Sequence, residues 1–156
     1  MIAKKIRVLG LREITIAKIE YEGSFQGIGV VYKKLMNWAR LNGYSNPKIN
    51  KTITIYHDDP NEVGINNVRQ SACIITNGKF DSTDTIKKDE FYAGKCAVGR
   101  YEISFYEFKN AWMEMTEWIK ENNLEVSGKD SFEVYQNNSN NHPSKKCIVD
   151  ICIPLK

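Results

Sequence analysis

The chain has 156 residues, of which 42% are hydrophobic and 26% are charged, so its composition is that of one globular domain and not of a disordered segment. Its net charge of +3 at pH 7 is too small to indicate nucleic-acid binding. The sequence contains no run of 18 apolar residues, which excludes a membrane-spanning helix.

The N-terminus and the cysteines indicate a cellular compartment. The basic segment Met1–Arg7 is not followed by the apolar run and cleavage site of a signal peptide. Four cysteines form no Cys-x-x-Cys pair and lie in or beside apolar runs: Cys73, Cys96, Cys147 and Cys152. Such cysteines are typical of free thiols that pack as small hydrophobic groups. We therefore expect a cytoplasmic protein without disulfides.

The first half of the chain predicts a strand, a helix and two further strands. Ile14–Tyr21 is rich in β-branched residues and predicts the first strand. Ser24 is a suitable helix N-cap, and Asn42-Gly43 is a C-terminal helix signal. Between them, apolar residues recur with helical spacing: Ile28, Val31, Leu35, Trp38 and Ala39. Thr52–His57 and Ser71–Thr76 predict the other strands, with a turn at 58–61.

The second half predicts the same order of elements. Gly94–Tyr101 is the expected strand, Ser104 the cap, and Asn122-Asn123 the end of the helix. The helical stripe consists of Phe105, Phe108, Trp112, Met115 and Ile119. The remaining elements are the strand Phe132–Tyr135, a polar loop at 137–144 and the strand Cys147–Ile153. Ile6–Leu11 and Thr85–Phe91 are candidate edge strands.

The two halves are also similar in sequence, which indicates an internal repeat. Ala17–Phe25 matches Ala97–Phe105 at an offset of 80 residues, Tyr56 matches Tyr135 at 79, and Ala72–Ile75 matches Asp150–Ile153 at 78. We therefore expect a single α+β domain, 1–156, built from two β-α-β-β repeats at about 1–80 and 81–156. The repeats should merge their antiparallel sheets, carry both helices on one face and leave a ligand groove between them.

Several common chemistries lack their motifs. The glycine-rich segment 23–29 is not followed by the lysine and hydroxyl residue of a phosphate loop. His57 and His142 are isolated, so no metal site is expected. The apolar neighbours of the cysteines argue against a reactive thiol, and no nucleophile elbow is present for serine chemistry. We expect no cofactor.

Aromatic residues occupy matching positions in the two repeats. Trp38 and Trp118 lie on the apolar helix stripes, which favours core packing. The first strand of each repeat ends at Tyr21 and Tyr101, and Tyr56 matches Tyr135. If the repeats pair about a pseudo-twofold axis, these tyrosines converge.

Glu133 is the candidate charged group among these aromatic residues. It shares a strand face with Tyr135, whereas the matching position of the first repeat is the neutral Thr54. One carboxylate in an aromatic site suits a lipophilic cation. The same group could instead act as a general acid or base, or simply face solvent from an open sheet.

The sequence resembles the GyrI-like small-molecule-binding domain, which also serves as the effector domain of multidrug-sensing transcription regulators. The resemblance covers nearly the whole chain and rests on the following segments: Ala17–Phe25, Tyr56–Pro60, Val68–Ile74, Tyr92–Val98, the helix from Trp112 to Trp118, Phe132–Tyr135 and Asp150–Leu155. It implies two β-α-β-β repeats with a groove between them.

The resemblance also implies roles for individual residues. Glu133 corresponds to a strand glutamate that pairs with cationic ligands, Tyr135 lies beside it, and Trp112 corresponds to a helix tryptophan that faces the pocket. The other expected wall residues of the ligand site are Tyr21, Phe25, Tyr56 and Tyr101.

The first functional hypothesis is therefore a binding protein for lipophilic, cationic aromatic compounds, without enzymatic activity. Relatives suggest two alternatives, which are a hydrolase of cyclopropane-bearing toxins that uses Glu133 and an inhibitor of DNA gyrase. We expect no direct DNA binding by this chain, since too few residues precede its first clear strand for a helix-turn-helix module. A protein partner would be gyrase or a regulator.

Overall fold

The computed structural model describes residues 5–156, so the first four residues of the basic N-terminal segment lie outside the described residues. The described residues form two compact units. One is Glu13–Tyr92, and the other combines the residues up to Arg12 with Ala93–Lys156. The strands of the described part are β1 (Lys5–Leu11), β2 (Ile14–Gly23), β3 (Thr52–Tyr56), β4 (Val68–Ile75), β5 (Lys87–Phe91), β6 (Gly94–Ile103), β7 (Ser131–Tyr135) and β8 (Cys147–Pro154). The α-helices are α1 (Ile28–Leu41), α2 (Pro60–Val63) and α3 (Phe108–Glu121).

In the unit Glu13–Tyr92, four antiparallel strands lie in the order β3-β4-β2-β5. Helix α1 packs on one face of these strands, because its apolar stripe meets the residues that alternate toward that face. The buried core consists of Ala17, Ile19, Leu35, Ala39, Ala72, Ile74 and Ile86. Trp38 packs against this core and stacks on Tyr44, with ring centroids 5.8 Å apart, as its position on the stripe predicts.

The other unit has the same plan, with antiparallel strands in the order β1-β6-β8-β7 and helix α3 on one face. The buried core consists of Ala97, Tyr101, Ile103, Ala111, Met115, Ile119, Val149, Ile151, Ile153 and Leu155. The predicted α+β class with two long helices is confirmed. Both predicted edge strands are present, since β1 pairs with β6 and β5 pairs with β2.

The two long helices end where the sequence predicts. Asn42 follows α1 and its side-chain amide donates to the carbonyl of Trp38 at 2.8 Å, while Gly43 adopts a φ of +83°. Asn122 makes the same bond to Trp118, also at 2.8 Å, and Asn123 adopts a φ of +55°. Glycine and asparagine tolerate this left-handed conformation, which terminates a helix.

The helix starts differ from the prediction. Each long helix is preceded by a short 3-10 turn, and the side chain of Ser24 makes no capping hydrogen bond. In the second unit the carboxylate of Glu107 accepts from the backbone N–H of Ser104 at 2.9 Å, and this bond lowers the pKa of Glu107. Phe105 lies in this turn and is 71% exposed, so its assignment to the buried stripe was wrong. A 3-10 turn has three residues per turn and therefore rotates Phe105 away from the helical stripe.

The register of the repeats also needs one correction. Lys18 and Val98 are equivalent at an offset of 80, and each lies opposite a buried cysteine, Cys73 and Cys152 respectively. The sequence comparison had matched Cys73 with Ile151. A slip of one residue moves a side chain to the other face of a sheet, so backbone pairing identifies the true equivalence. The last strand therefore follows an offset of 79 and not 78.

Gly99 in β6 is a position where packing excludes a side chain. A Cβ atom there would lie 2.4 Å from Met115 Sδ and 3.0 Å from Tyr101 Cε2, and both residues are fully buried. We expect Gly99→Ala to lower the free energy of unfolding by about 1.5 kcal/mol, because the core must shift to accept the methyl group. Gly10→Ala in β1 is the matched control, since nothing lies within 4 Å of its Cβ. Urea unfolding of both variants measures the difference, and equal stabilities would contradict the packing argument.

Candidate functional site

Glu133 is a buried carboxylate in β7, with 2% of its surface exposed. Strand alternation directs it toward the face that helix α3 covers. Its Oε2 accepts a hydrogen bond from Trp112 Nε1 at 2.6 Å, and its Oε1 accepts one from the hydroxyl of Tyr135 at 2.7 Å. The alternative of a solvent-facing Glu133 is therefore wrong.

Helix α3 positions the first of these donors. Trp112 lies on the apolar stripe, with Phe108 and Met115 one turn away on either side, so its indole is held against the sheet. The side chain is half-buried, with its N–H directed at the carboxylate. A tryptophan N–H that is removed from water requires an acceptor, and Glu133 provides it.

The second donor comes from the same strand as the carboxylate. Tyr135 is two residues after Glu133, so both side chains project from one face of β7, as the sequence predicts. Its half-buried ring lies beside the carboxylate and its hydroxyl closes the bond to Oε1. Trp112, Glu133 and Tyr135 are called the carboxylate cluster below.

The chemistry of the carboxylate cluster follows from its charges. Removing a carboxylate from water is costly, and hydrogen bonds from two donors offset part of that cost. Both donors are neutral, so they stabilise the negative charge without cancelling it. A carboxylate flanked by two electron-rich rings attracts a cation by charge and by the ring faces.

Tyr101 lies in the core of this unit and not at its surface. It is fully buried, and its hydroxyl donates to Glu114 Oε1 of α3 at 2.9 Å. Burial raises the pKa of Tyr101, and the hydrogen bond to Glu114 raises it further. In this conformation the side chain offers no surface for ligand contact, so Tyr101 supports the helix packing.

The thiols near Glu133 are protonated at neutral pH. Burial raises the pKa of Cys147 to about 11, and the negative charge of Glu133 contributes to the shift. Burial also raises the pKa of Cys152 well above its ordinary value. Cys147 is half-buried, whereas the sequence predicts full burial. A raised thiol pKa disfavours the nucleophilic thiolate.

The unit Glu13–Tyr92 carries a neutral version of the carboxylate cluster. Tyr32 is the repeat counterpart of Trp112, and its hydroxyl lies 2.8 Å from Thr54 Oγ1 and donates to the carbonyl of Ile53 at 2.7 Å. Thr54 is the counterpart of Glu133 and is 1% exposed. Sequence analysis did not select Tyr32, although its offset of 80 from Trp112 was a usable signal. The fold thus keeps a helix-to-strand hydrogen bond at this position, and one repeat alone adds a charge.

The other predicted aromatic residues lie in this same unit. The ring of Phe25 meets the ring of Tyr56 edge-on, with centroids 5.5 Å apart. Tyr21 is half-buried, and its hydroxyl donates to the carbonyl of Ser24 at 3.0 Å. The structure therefore brings Phe25 together with Tyr56 and directs Tyr21 to the turn that precedes α1.

The two histidines have hydrogen-bond partners. His57 Nε2 lies 2.7 Å from Ser71 Oγ, and His142 Nε2 lies 2.6 Å from Glu102 Oε2. In residues 5–156 no group of three or more His, Cys, Asp or Glu side chains is placed to hold a metal ion. No helix in that range is long and apolar enough to cross a membrane.

A family model for the GyrI-like small molecule binding domain matches residues 4–156. None of the curated proteins compared with the chain matches it.

Solved structures share the fold at low sequence identity. The EcmrR C-terminal domain has a TM-score of 0.80 at 13% identity, over 97% of each chain. In the EcmrR–DNA complex the match covers 97% of this chain but 57% of the EcmrR chain. A hydrolase from Listeria innocua has a TM-score of 0.68 at 12% identity, over 99% of this chain and 93% of the other. SAV2435, solved bound to tetraphenylphosphonium, has a TM-score of 0.58 at 18% identity, over 97% and 94%.

Proposed function

The chain belongs to the GyrI-like small-molecule-binding family, and we propose that it binds a lipophilic, cationic aromatic compound at the carboxylate cluster. The observation that carries this proposal is the burial of Glu133 between two neutral aromatic donors. A folded protein gains little stability from such a group, because desolvation opposes the charge. A ligand cation would recover the attraction that burial withholds.

The chemistry of the rings supports the same ligand class. Trp112 and Tyr135 are half-buried, so part of each ring is open to contact. Tryptophan and tyrosine faces attract organic cations most strongly where water is excluded. SAV2435, a protein of the same fold, binds tetraphenylphosphonium, which is such a cation. Tetraphenylphosphonium is therefore the probe of choice.

The experiment is a titration of the unmodified protein with tetraphenylphosphonium, followed by nitrogen–proton NMR. The chain has three tryptophans, Trp38, Trp112 and Trp118, so three indole N–H signals report on separate places. We expect saturable binding with micromolar affinity, a large shift of the Trp112 indole signal and small shifts of the other two. Binding that leaves the Trp112 signal unchanged would contradict the proposed location.

A second candidate function is hydrolysis of an electrophilic substrate by Glu133. The structural similarity to a Listeria innocua hydrolase favours testing it, together with the water-poor position of the carboxylate. Glu133 would act as the general base or as the nucleophile. The test is turnover of a cyclopropane-bearing substrate by the unmodified protein and by Glu133→Gln. Turnover that persists in the variant, or is absent in both proteins, would contradict this function.

A further inference from the structure

Gln70 in β4 has an unsatisfied polar atom in the interior. The side chain is 1% exposed, and its Nε2 donates to the carbonyl of Gly23 at 3.2 Å. Its Oε1 is buried and has no hydrogen-bond partner among residues 5–156. A buried amide oxygen without a donor destabilises a folded protein, so its retention requires a reason.

The orientation of the amide group is determined by its surroundings. Nε2 lies near two carbonyl oxygens, those of Gly23 and, at 3.5 Å, Val68. Exchanging nitrogen and oxygen would place Oε1 against these two acceptors, which is unfavourable. The carbonyl end of Gln70 must therefore point the other way.

The neighbours of Gln70 on its strand face are aromatic. Backbone pairing places Gln70 opposite Tyr21 on one side and opposite Tyr56 on the other. Side chains at directly opposed positions lie about 5 Å apart at Cβ. The ring of Phe25 packs edge-on against Tyr56. The free oxygen thus belongs to a small aromatic cluster on the α1 face.

The fold itself does not require a polar side chain at this place. In the other unit the corresponding position, opposite both Tyr101 and Tyr135, is Val149. Val149 is fully buried in the core there. Gln70 is therefore a polar substitution in a position that packs well with an aliphatic residue.

The turn over Gln70 is held less firmly than its counterpart. In the other unit Glu107 holds the equivalent turn by accepting from Ser104 N–H, whereas Gly27 stands in the place of Glu107 and has no side chain. The hydroxyl of Tyr21 supports the turn through Ser24. Phe25 is 38% exposed, so the turn borders solvent. A local opening of this turn would expose the aromatic cluster.

We propose that the unit Glu13–Tyr92 contains a second binding site, in which Gln70 Oε1 accepts a hydrogen bond from an uncharged planar compound that carries an N–H or O–H group. The rings of Phe25 and Tyr56 contact the plane of this compound, which enters when the turn at residues 25–27 opens. A neutral amide oxygen selects donors without the charge attraction that Glu133 offers. This site does not depend on Glu133.

The test compares indole with 1-methylindole, two probes that differ in one N–H group. Titrations followed by nitrogen–proton NMR give the affinity of each probe and report the side-chain amide signal of Gln70. We expect indole to bind about five- to tenfold more tightly than 1-methylindole, as one hydrogen bond contributes, and to shift the Gln70 amide signal. In Gln70→Leu the two probes should bind equally.

Three controls make the outcome decisive. Glu133→Gln should preserve the preference for indole, which separates this site from the carboxylate cluster. Equal binding of both probes by the unmodified protein would overturn the proposal, and so would an unchanged preference in Gln70→Leu. If Gln70→Leu does not fold, the unmodified protein still decides, because an N–H preference without a shift of the Gln70 amide signal overturns the proposal as well.

Discussion

Replacement of Glu133 by glutamine will weaken the binding of tetraphenylphosphonium by about 10- to 100-fold. The substitution removes a charge that is 2% exposed, in a place where water screens little of its attraction for a cation. Glutamine retains the shape of the side chain and an oxygen that accepts from Trp112 Nε1. The variant should therefore fold, and isothermal titration calorimetry measures the loss of affinity.

The matched control for this prediction is Glu117→Gln. Glu117 lies on α3 in the same unit and is exposed, so its replacement removes the same charge at the protein surface. We expect a change of less than twofold, because salt and water screen an exposed charge. If both variants lose affinity equally, the cation senses the overall charge of the protein and not the carboxylate cluster. If neither loses affinity, charge pairing at Glu133 makes no contribution.

Replacement of Trp112 by phenylalanine will lower the free energy of unfolding by about 2–3 kcal/mol. The variant loses the 2.6 Å hydrogen bond to Glu133, and hydrogen bonds to charged groups contribute about 1.5–3 kcal/mol. The remaining part of the loss is the smaller ring in a packed position. Urea unfolding followed by circular dichroism measures the effect.

Two comparisons isolate the hydrogen bond from the packing. Trp118→Phe changes a second half-buried tryptophan of the same helix, and we expect it to cost about 1 kcal/mol. In a Glu133→Gln background the cost of Trp112→Phe should fall by about half, since the acceptor is then neutral. The same loss in both backgrounds would mean that the indole contributes by packing alone.

Local patterns determined much of the architecture because they act over a few residues. The helical stripe places Leu35 and Met115 in the two cores, and both are fully buried. The Asn-Gly and Asn-Asn signals end α1 and α3. Aspartate and proline at 59 and 60 predicted a turn, and Asp59 does cap a short helix there by accepting from the N–H of Asn61 at 2.8 Å.

The candidate site was predictable in part. Alternation along a strand is enough to place Glu133 and Tyr135 on one face, and the match between repeats is enough to single out a charge that one repeat has and the other lacks. Neither rule states whether that face is covered. Burial of Glu133 depends on how α3 lies over β7, and that depends on packing between residues about 20 positions apart.

The sequence by itself determined the order of elements, the internal repeat and the pairing of residues along each strand, because helix and strand periods are local properties of the backbone. The tertiary structure decided which polar atoms find partners. It paired Trp112 with Glu133 and Tyr101 with Glu114, and it left the oxygen of Gln70 without a donor. These outcomes depend on distances between segments that are remote in the chain, and hydrogen bonding is sensitive to differences of less than 1 Å.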